Sequence, residues 1–213
     1  CFYAGRIKTG RGDPPEYYDF LPKHLRTQVG WIDTTALGSK AFEQSSDDDV
    51  NRWNVIEARI VMGLLQQLIE AEDFIAFLED DLQPNEPAIG VICMYSKQRE
   101  VIDQMASEAV WLQNQRRLLK VDTVDSYQGK ENRIVILSTV RNNTTLNPGF
   151  LRSPNRINVA MSRAMERLYI IGAQRMWEGR NAKLPLGQVK KRVSEMVSQE
   201  RATLLNPELF LVT

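Results

Sequence analysis

The chain has 213 residues, 43% of them apolar, with 27 Lys plus Arg against 27 Asp plus Glu. That is enough apolar material for one sizeable core, and the net charge of zero excludes a simple basic protein that coats nucleic acid. The two cysteines exclude a disulfide framework and no apolar run approaches the roughly 20 residues that cross a bilayer, so the expectation is a reducing intracellular compartment and no membrane partner.

Residues 1–28, with Pro14, Pro15 and Pro22, read as an irregular lead-in. The opening on Cys1, without a strand or cap, leads us to expect a neighbouring upstream domain. Five Val- and Ile-rich runs then read as strands, at 29–34, 89–94, 118–123, 134–140 and 168–173. They are apolar almost throughout, as strands covered on both faces of a parallel sheet are. Between the first two, Asp47, Asp48 and Asp49 stand near a helix start, and Trp53, Ile56, Ile60, Leu64 and Leu68 recur at three- and four-residue spacing as far as Glu72. A loop at 80–87 leads into the second strand. A second helix is predicted over 97–115, a third carries 155–164, and the chain beyond Arg175 reads as a loop and then a helix over 188–202. Strands alternating with helices of this length predict an α/β fold: a wound, mainly parallel sheet of about five strands with flanking helices.

Charge is unevenly placed along these elements. Residues 1–113 carry 10 basic against 19 acidic side chains, residues 114–180 carry 12 against 5, and the tail 5 against 3. A basic half beside an acidic one can face an anionic polymer with one side only.

Two segments in the basic part hold the candidate chemistry. Residues 124–131 read Val-Asp-Ser-Tyr-Gln-Gly-Lys-Glu between two strands, which places small hydrogen-bonding groups and a glycine at a strand's carboxyl end, where open α/β sheets bind ligands. By itself such a segment is equally a polar turn. Residues 156–164 read Arg-Ile-Asn-Val-Ala-Met-Ser-Arg-Ala on the predicted helix, with Ile157, Ala160 and Ala164 able to face the sheet. Arg156 and Arg163 are seven apart, nearly two turns, so they are expected to project from one side. Two guanidiniums on one face suit phosphate, although a solvated basic helix has the same pattern.

Together the segments resemble motifs V and VI of superfamily 1 helicases, in the branch that includes the nonsense-mediated-decay helicase and senataxin. That branch carries Val-Asp-x-Phe-Gln-Gly-x-Glu-x-Asp, then Ser-x-Val-Arg, Gly-Phe-Leu-x-x-Pro-x-Arg and Asn-Val-Ala-x-Thr-Arg-Ala. Here these read at 124–133, 138–141, 149–156 and 158–164 in the same order. Weaker likenesses are Phe2-Tyr3-Ala4-Gly5, Asn54 with Glu57 and Ala58 as a helix start, and motif IV at 89–98 with Tyr95 and Gln98. The resemblance covers about residues 1–175. Tyr127 replaces the commoner Phe, Ser162 replaces Thr, and Arg133 occupies the place of an Asp, which removes whatever ion pair that Asp makes.

The resemblance implies the second RecA-like domain of a helicase, with residues 29–175 as the motor domain, 1–28 leading in from the first RecA-like domain and 176–213 as an extension. It further implies that ATP is bound between the two domains. Arg163 is then the arginine finger, Gly129 and Glu131 line the ATP cleft, and Thr123, Ser126, Gln128 and Arg156 meet single-stranded DNA or RNA. No Gly-x-x-x-x-Gly-Lys-Ser/Thr occurs, so the P-loop and the Mg2+ ligands belong outside this chain, which alone is expected to be inactive. A non-catalytic nucleic-acid-binding or scaffold module of the same fold is the alternative.

Overall fold

The computed structural model describes residues 16–46, 51–80, 82–83 and 86–211. The Phe2–Gly5 likeness and Asp47, Asp48 and Asp49 lie outside them.

All five predicted strands form: β1 (Val29–Ile32), β4 (Ile89–Cys93), β5 (Leu119–Thr123), β6 (Asn132–Ser138) and β7 (Ala164–Ile171). Between β1 and β4 lies a small antiparallel ribbon of β2 (Gln44–Ser45) and β3 (Arg52–Trp53). A sixth strand joins the main sheet from the tail. Residues 202–205 were expected to end or follow a helix, but they form β8 (Ala202–Leu205), which pairs in parallel with β1 from Val29↔Ala202 to Ile32↔Leu205. The sheet order is β5-β4-β6-β7-β1-β8 and every pairing is parallel.

Alternate residues of the apolar strands feed two separate cores, as the two-residue period of a strand requires. Ile89, Val91, Cys93, Ile134, Ile136 and Tyr169 point to the first face. There they meet α1 (Val55–Ile69), α2 (Glu72–Asp80) and α3 (Ser96–Glu108). Ile92, Val135, Leu137 and Ile170 point to the second, beneath α4 (Pro154–Met161) and α5 (Pro185–Val197).

Several helix boundaries differ from the periodicity reading. The first helix is shorter, α1 from Val55 to Ile69 with Trp53 ahead of it in β3, and α2, which was not expected, follows from Glu72; α5 ends at Val197, short of Ala202. α3 ends at Glu108, and residues 110–118 tighten into a 3-10 helix. α4 ends at Met161, so Arg163 lies beyond the helix and Ala164 opens β7, four residues before the predicted strand start.

The start of α1 is where the chain's polar groups decide the fold. Asn54 is fully buried; its side-chain oxygen accepts from the Glu57 amide at 3.0 Å and caps the helix, while its amide donates to the carbonyls of Ala41 and Val140. Gln98 closes the set: its oxygen accepts from the Asn54 amide at 2.7 Å and its nitrogen donates to Asn54 O and Ser138 Oγ. Glu57 completes it, accepting from Ser138 Oγ at 2.7 Å and from the Val140 amide at 2.8 Å. Val140 stands at φ +68, which a β-branched residue adopts only when its surroundings hold it there.

Glu57 is wholly buried and one of its oxygens has no partner. Burial pushes its carboxyl from 4.5 up to about 7, against the opposing pull of the Val140 and Ser138 hydrogen bonds. The unfolded chain gives up this proton near 4.5 and the folded chain keeps it to about 7, so the group costs stability as pH rises through that window and adds no further cost above it. Glu57→Gln does not titrate. Measured by urea unfolding, its stability relative to wild type is therefore expected to rise by roughly 2 to 3 kcal/mol between about pH 5 and about pH 8. A difference that stays constant across that range would show that the carboxyl is charged throughout.

Candidate nucleotide and nucleic-acid site

The connection from β5 to β6 is the unusual one. Both strands run parallel to β4, which lies between them, so residues 124–131 must travel back from the carboxyl edge of the sheet to its amino edge. They do so as a strap over β4. The Val124 amide donates to Cys93 O at 3.0 Å, at the carboxyl end of β4. Farther along, Tyr127 is buried, and its hydroxyl donates to Asn132 Oδ1 at 3.0 Å. Gly90 makes this crossing possible. A Cβ there would stand 2.4 Å from the Tyr127 hydroxyl and 2.5 Å from Asn132 Oδ1, so a side chain would have to displace the pair that seats the strap.

Val124 and Tyr127 anchor the strap inward, and Asp125, Ser126, Gln128, Gly129, Lys130 and Glu131 are exposed along its outer side. Gly129 holds φ +80 with nothing near its missing side chain, so the backbone there is open to close approach. The strap therefore spreads the predicted residues between two places. Thr123 and Ser126 stand at the carboxyl edge with their hydroxyls 3.2 Å apart. Gly129 and Glu131 were expected at that edge too, but the need to reach β6 carries them toward the amino edge, where Asn132 pairs with Ala164.

α4 accompanies the strap and is clipped to it at both ends. At one end Arg156 forms a two-pronged pair with Asp125, at 3.1 and 2.9 Å, and its guanidinium lies 5.1 Å from the centre of the exposed Phe150 ring. At the other, Arg163 donates from Nη1 to Lys130 O at 3.2 Å, from Nε to Val159 O at 3.1 Å and from Nη2 to Ser162 Oγ at 2.8 Å. Arg156 and Arg163 both reach the strap, but at its two ends: seven residues of chain advance about 10 Å along a helix, and Arg163 lies past Met161, where α4 stops. Of the five N–H donors of Arg163, these bonds leave one on each terminal nitrogen, a fork that fits two oxygens of one phosphate.

Arg133, which replaces an acid of the family pattern, finds one elsewhere: Nη1 lies 3.5 Å from Glu166 and donates to the Tyr17 hydroxyl at 2.8 Å. Glu166 also accepts from Tyr18 at 2.8 Å. Its charge, with burial the larger cause, raises the hydroxyl pKa of Tyr18 far above the ordinary value. The sequence reading missed this cluster and also missed Glu43. The Glu43 side chain is 3% exposed and pairs with the equally buried Arg141 at 2.8 Å and with Arg52 at 3.1 Å. It also accepts from the Asn142 amide at 2.5 Å, fixing the loop that follows β6. A lone Glu before a polar stretch carries no local signal of such a role. Gln98, by contrast, was singled out with motif IV, and its full burial makes it a support beneath the carboxyl edge.

Among the described residues no group of three or more His, Cys, Asp or Glu could hold a metal ion, and no helix is long and apolar enough to cross a membrane.

A protein-family model described as an AAA domain matches residues 1–175. Over 129 residues the chain is 34% identical to "Helicase required for RNAi-mediated heterochromatin assembly 1" of Schizosaccharomyces pombe, covering 61% of this chain and 12% of that protein. It is 32% identical over 176 residues to "Regulator of nonsense transcripts 1" of Caenorhabditis elegans, covering 80% of this chain and 15% of that protein. The figure for "DNA polymerase alpha-associated DNA helicase A" of Saccharomyces cerevisiae is 36% over 145 residues, 67% of this chain and 19% of that protein. The chain thus spans a small part of the length of each of these relatives.

Proposed function

Because the chain belongs to the AAA-domain family, as the second RecA-like domain of a superfamily 1 helicase in the branch of the nonsense-mediated-decay helicase and senataxin, we propose that it couples ATP hydrolysis to movement along a single strand of DNA or RNA. The observation that carries this reading is the strap. One rigid segment of eight residues has its hydroxyl-bearing start at the carboxyl edge and its Gly129 and Glu131 toward the amino edge, beside Arg163.

In this reading the domain closes on ATP held by the first RecA-like domain of the complete protein. Arg163 turns its two remaining N–H groups to the γ-phosphate, where a guanidinium neutralises charge that develops on the equatorial oxygens. Gly129 lets the backbone approach, and Glu131 accepts from the ribose or from the attacking water. Bound ATP with Mg2+, whose ligands lie outside this chain, supplies the phosphoryl group and the free energy. Thr123, Ser126 and Gln128 donate to the sugar-phosphate backbone, with Arg156 adding charge from the neighbouring helix. These are contacts that position a strand without reading its bases. Closure displaces one end of the strap, and because Tyr127 and the two arginine clips make it stiff, the other end moves with it.

Gly129→Val tests the coupling. At φ +80 a β-branched residue is strained, so the strap end beside Lys130 must refold while its start is untouched. In the complete protein, turnover stimulated by single strands is expected to fall roughly tenfold or more while strand affinity stays within about threefold. Unchanged stimulated turnover would remove the strap from the mechanism and favour a scaffold that only keeps the fold.

A further inference from the structure

A second basic feature lies past the strap, at the same edge of the sheet, and neither motif accounts for it. The loop after β6 and the segment after β7 enclose an open cleft of about 470 Å³ lined by Arg152, Arg180, Asn147, Thr145 and Leu184, with no carboxylate in its walls. Its floor is prebuilt. Buried Asn181 donates to Leu146 O and to Met176 O, both at 2.8 Å, tying the two loops together. Arg175 adds a further tie through Asn142 Oδ1 at 2.6 Å and Asn143 O at 3.0 Å. Within the first loop, Asn143 Oδ1 accepts from the Asn147 amide and from the Thr145 hydroxyl, both at 2.9 Å.

The two cleft arginines differ in their partners from most others in the basic part of the chain. Arg116, Arg117, Arg133, Arg141 and Arg156 each pair with an acid. Among the described residues Arg152 reaches only the side-chain oxygen of Asn147, at 3.5 Å, and Arg180 only the carbonyl of Thr145. No ion pair among the described residues compensates their positive charge, and most of their donors remain for a ligand. Leu184 is the N-terminal cap residue of the 13-residue α5, whose first amides add partial positive charge to the same wall. On the strap side Arg152 is followed back along the chain by Phe150. That residue is half-exposed, shares the short helix Gly149–Arg152 with Arg152 and lies against Arg156.

We propose that this cleft seats a phosphodiester of the single strand, with Arg152 and Arg180 as its charged donors, extending the nucleic-acid track from the strap across the carboxyl edge into the segment beyond residue 175. The proposal rests on the strand-binding reading given above. A phosphate suits the site because the walls offer two guanidiniums and the side-chain amide of Asn147 without an acid to repel it. An apolar ligand would leave those donors unsatisfied.

The test uses the full chain and a fluorescein-labelled oligothymidylate of about 15 nucleotides, long enough to cover such a track, with anisotropy read across a salt series. The double variant R152Q/R180Q is expected to bind about tenfold more weakly. Its salt dependence, as log K against log salt, should be shallower by about 0.7, the contribution of one single-strand phosphate. Both side chains are on the surface, so an unchanged melting temperature separates lost binding from lost fold. If wild type binds with a salt-dependent affinity and the double variant matches it within twofold at an equal slope, the cleft proposal fails while the strap reading stands. If wild type shows no binding even at low salt, both fail. Inorganic phosphate at constant ionic strength forms the second arm and is expected to compete no better than chloride. Phosphate that binds wild type but not R152Q/R180Q, while both proteins bind the strand equally with or without it, would assign the cleft to a free phosphate and overturn the proposal.

Discussion

Arg163→Ala in the complete protein should lower single-strand-stimulated ATP turnover by about 10³-fold or more, the range found where arginine fingers are removed. The structure sharpens what else to expect. Arg163 is half-buried and bridges the end of α4 to the strap through three hydrogen bonds, so the variant also loses a local clip, at a cost of about 1 to 2 kcal/mol. Strand affinity and melting temperature must therefore be measured alongside turnover. The expected pattern is a large loss in turnover, a small loss in stability and near-normal strand binding, since Arg156 and Ser126 stand at the other end of the strap. Arg163→Lys should rescue poorly, because an ammonium cannot present the paired donors that the guanidinium leaves free. Turnover retained within about threefold corresponds to less than roughly 0.7 kcal/mol of barrier stabilisation, too little for a finger. Arg163 would then be a structural clip alone.

The second large effect concerns stability. Glu43→Ala should destabilise the fold by about 3 to 5 kcal/mol, because it strands the Arg141 guanidinium, 2% exposed, without its counter-charge. The loss extends along the loop after β6, since Glu43 also holds Arg52, the Asn142 amide and the Asn143 side chain. Glu43→Gln keeps the shape and part of the hydrogen bonding, and is expected to cost less. Urea unfolding of Glu43→Ala, Arg141→Ala and the double variant gives the coupling directly: the double variant should be less destabilised than the sum of the two singles, as a shared pair requires. A Glu43→Ala loss below about 1 kcal/mol would mean that water or loop movement already satisfies Arg141, and that the loop is not held as the contacts indicate.

The α/β class, the five central strands and the two motif segments were all legible in the sequence, and the reason is local. A strand covered on both faces must be apolar throughout whatever it pairs with, and Asn54 with Glu57 three residues on forms its cap within one turn. Tertiary structure alone decided where those pieces meet. The parallel course of β5 and β6 on either side of β4 turns residues 124–131 from a loop at one edge into a strap that crosses the sheet, and it parts Thr123 and Ser126 from Gly129 and Glu131. Helical spacing put Arg156 and Arg163 on one side, and both do reach the strap; only the fold shows that α4 ends at Met161, where the chain enters β7, and that each arginine finds an acceptor at a different end of the strap. β8 was hidden for a similar reason: Ala202–Leu205 is short and opens after a helical stretch, and only the free edge of β1 makes it a strand. Glu43 with Arg141 and Arg133 with Glu166 lie 98 and 33 residues apart in the chain. Charge patterns report neighbours in sequence, whereas these pairs exist because the fold brings both partners together where they are shielded from water.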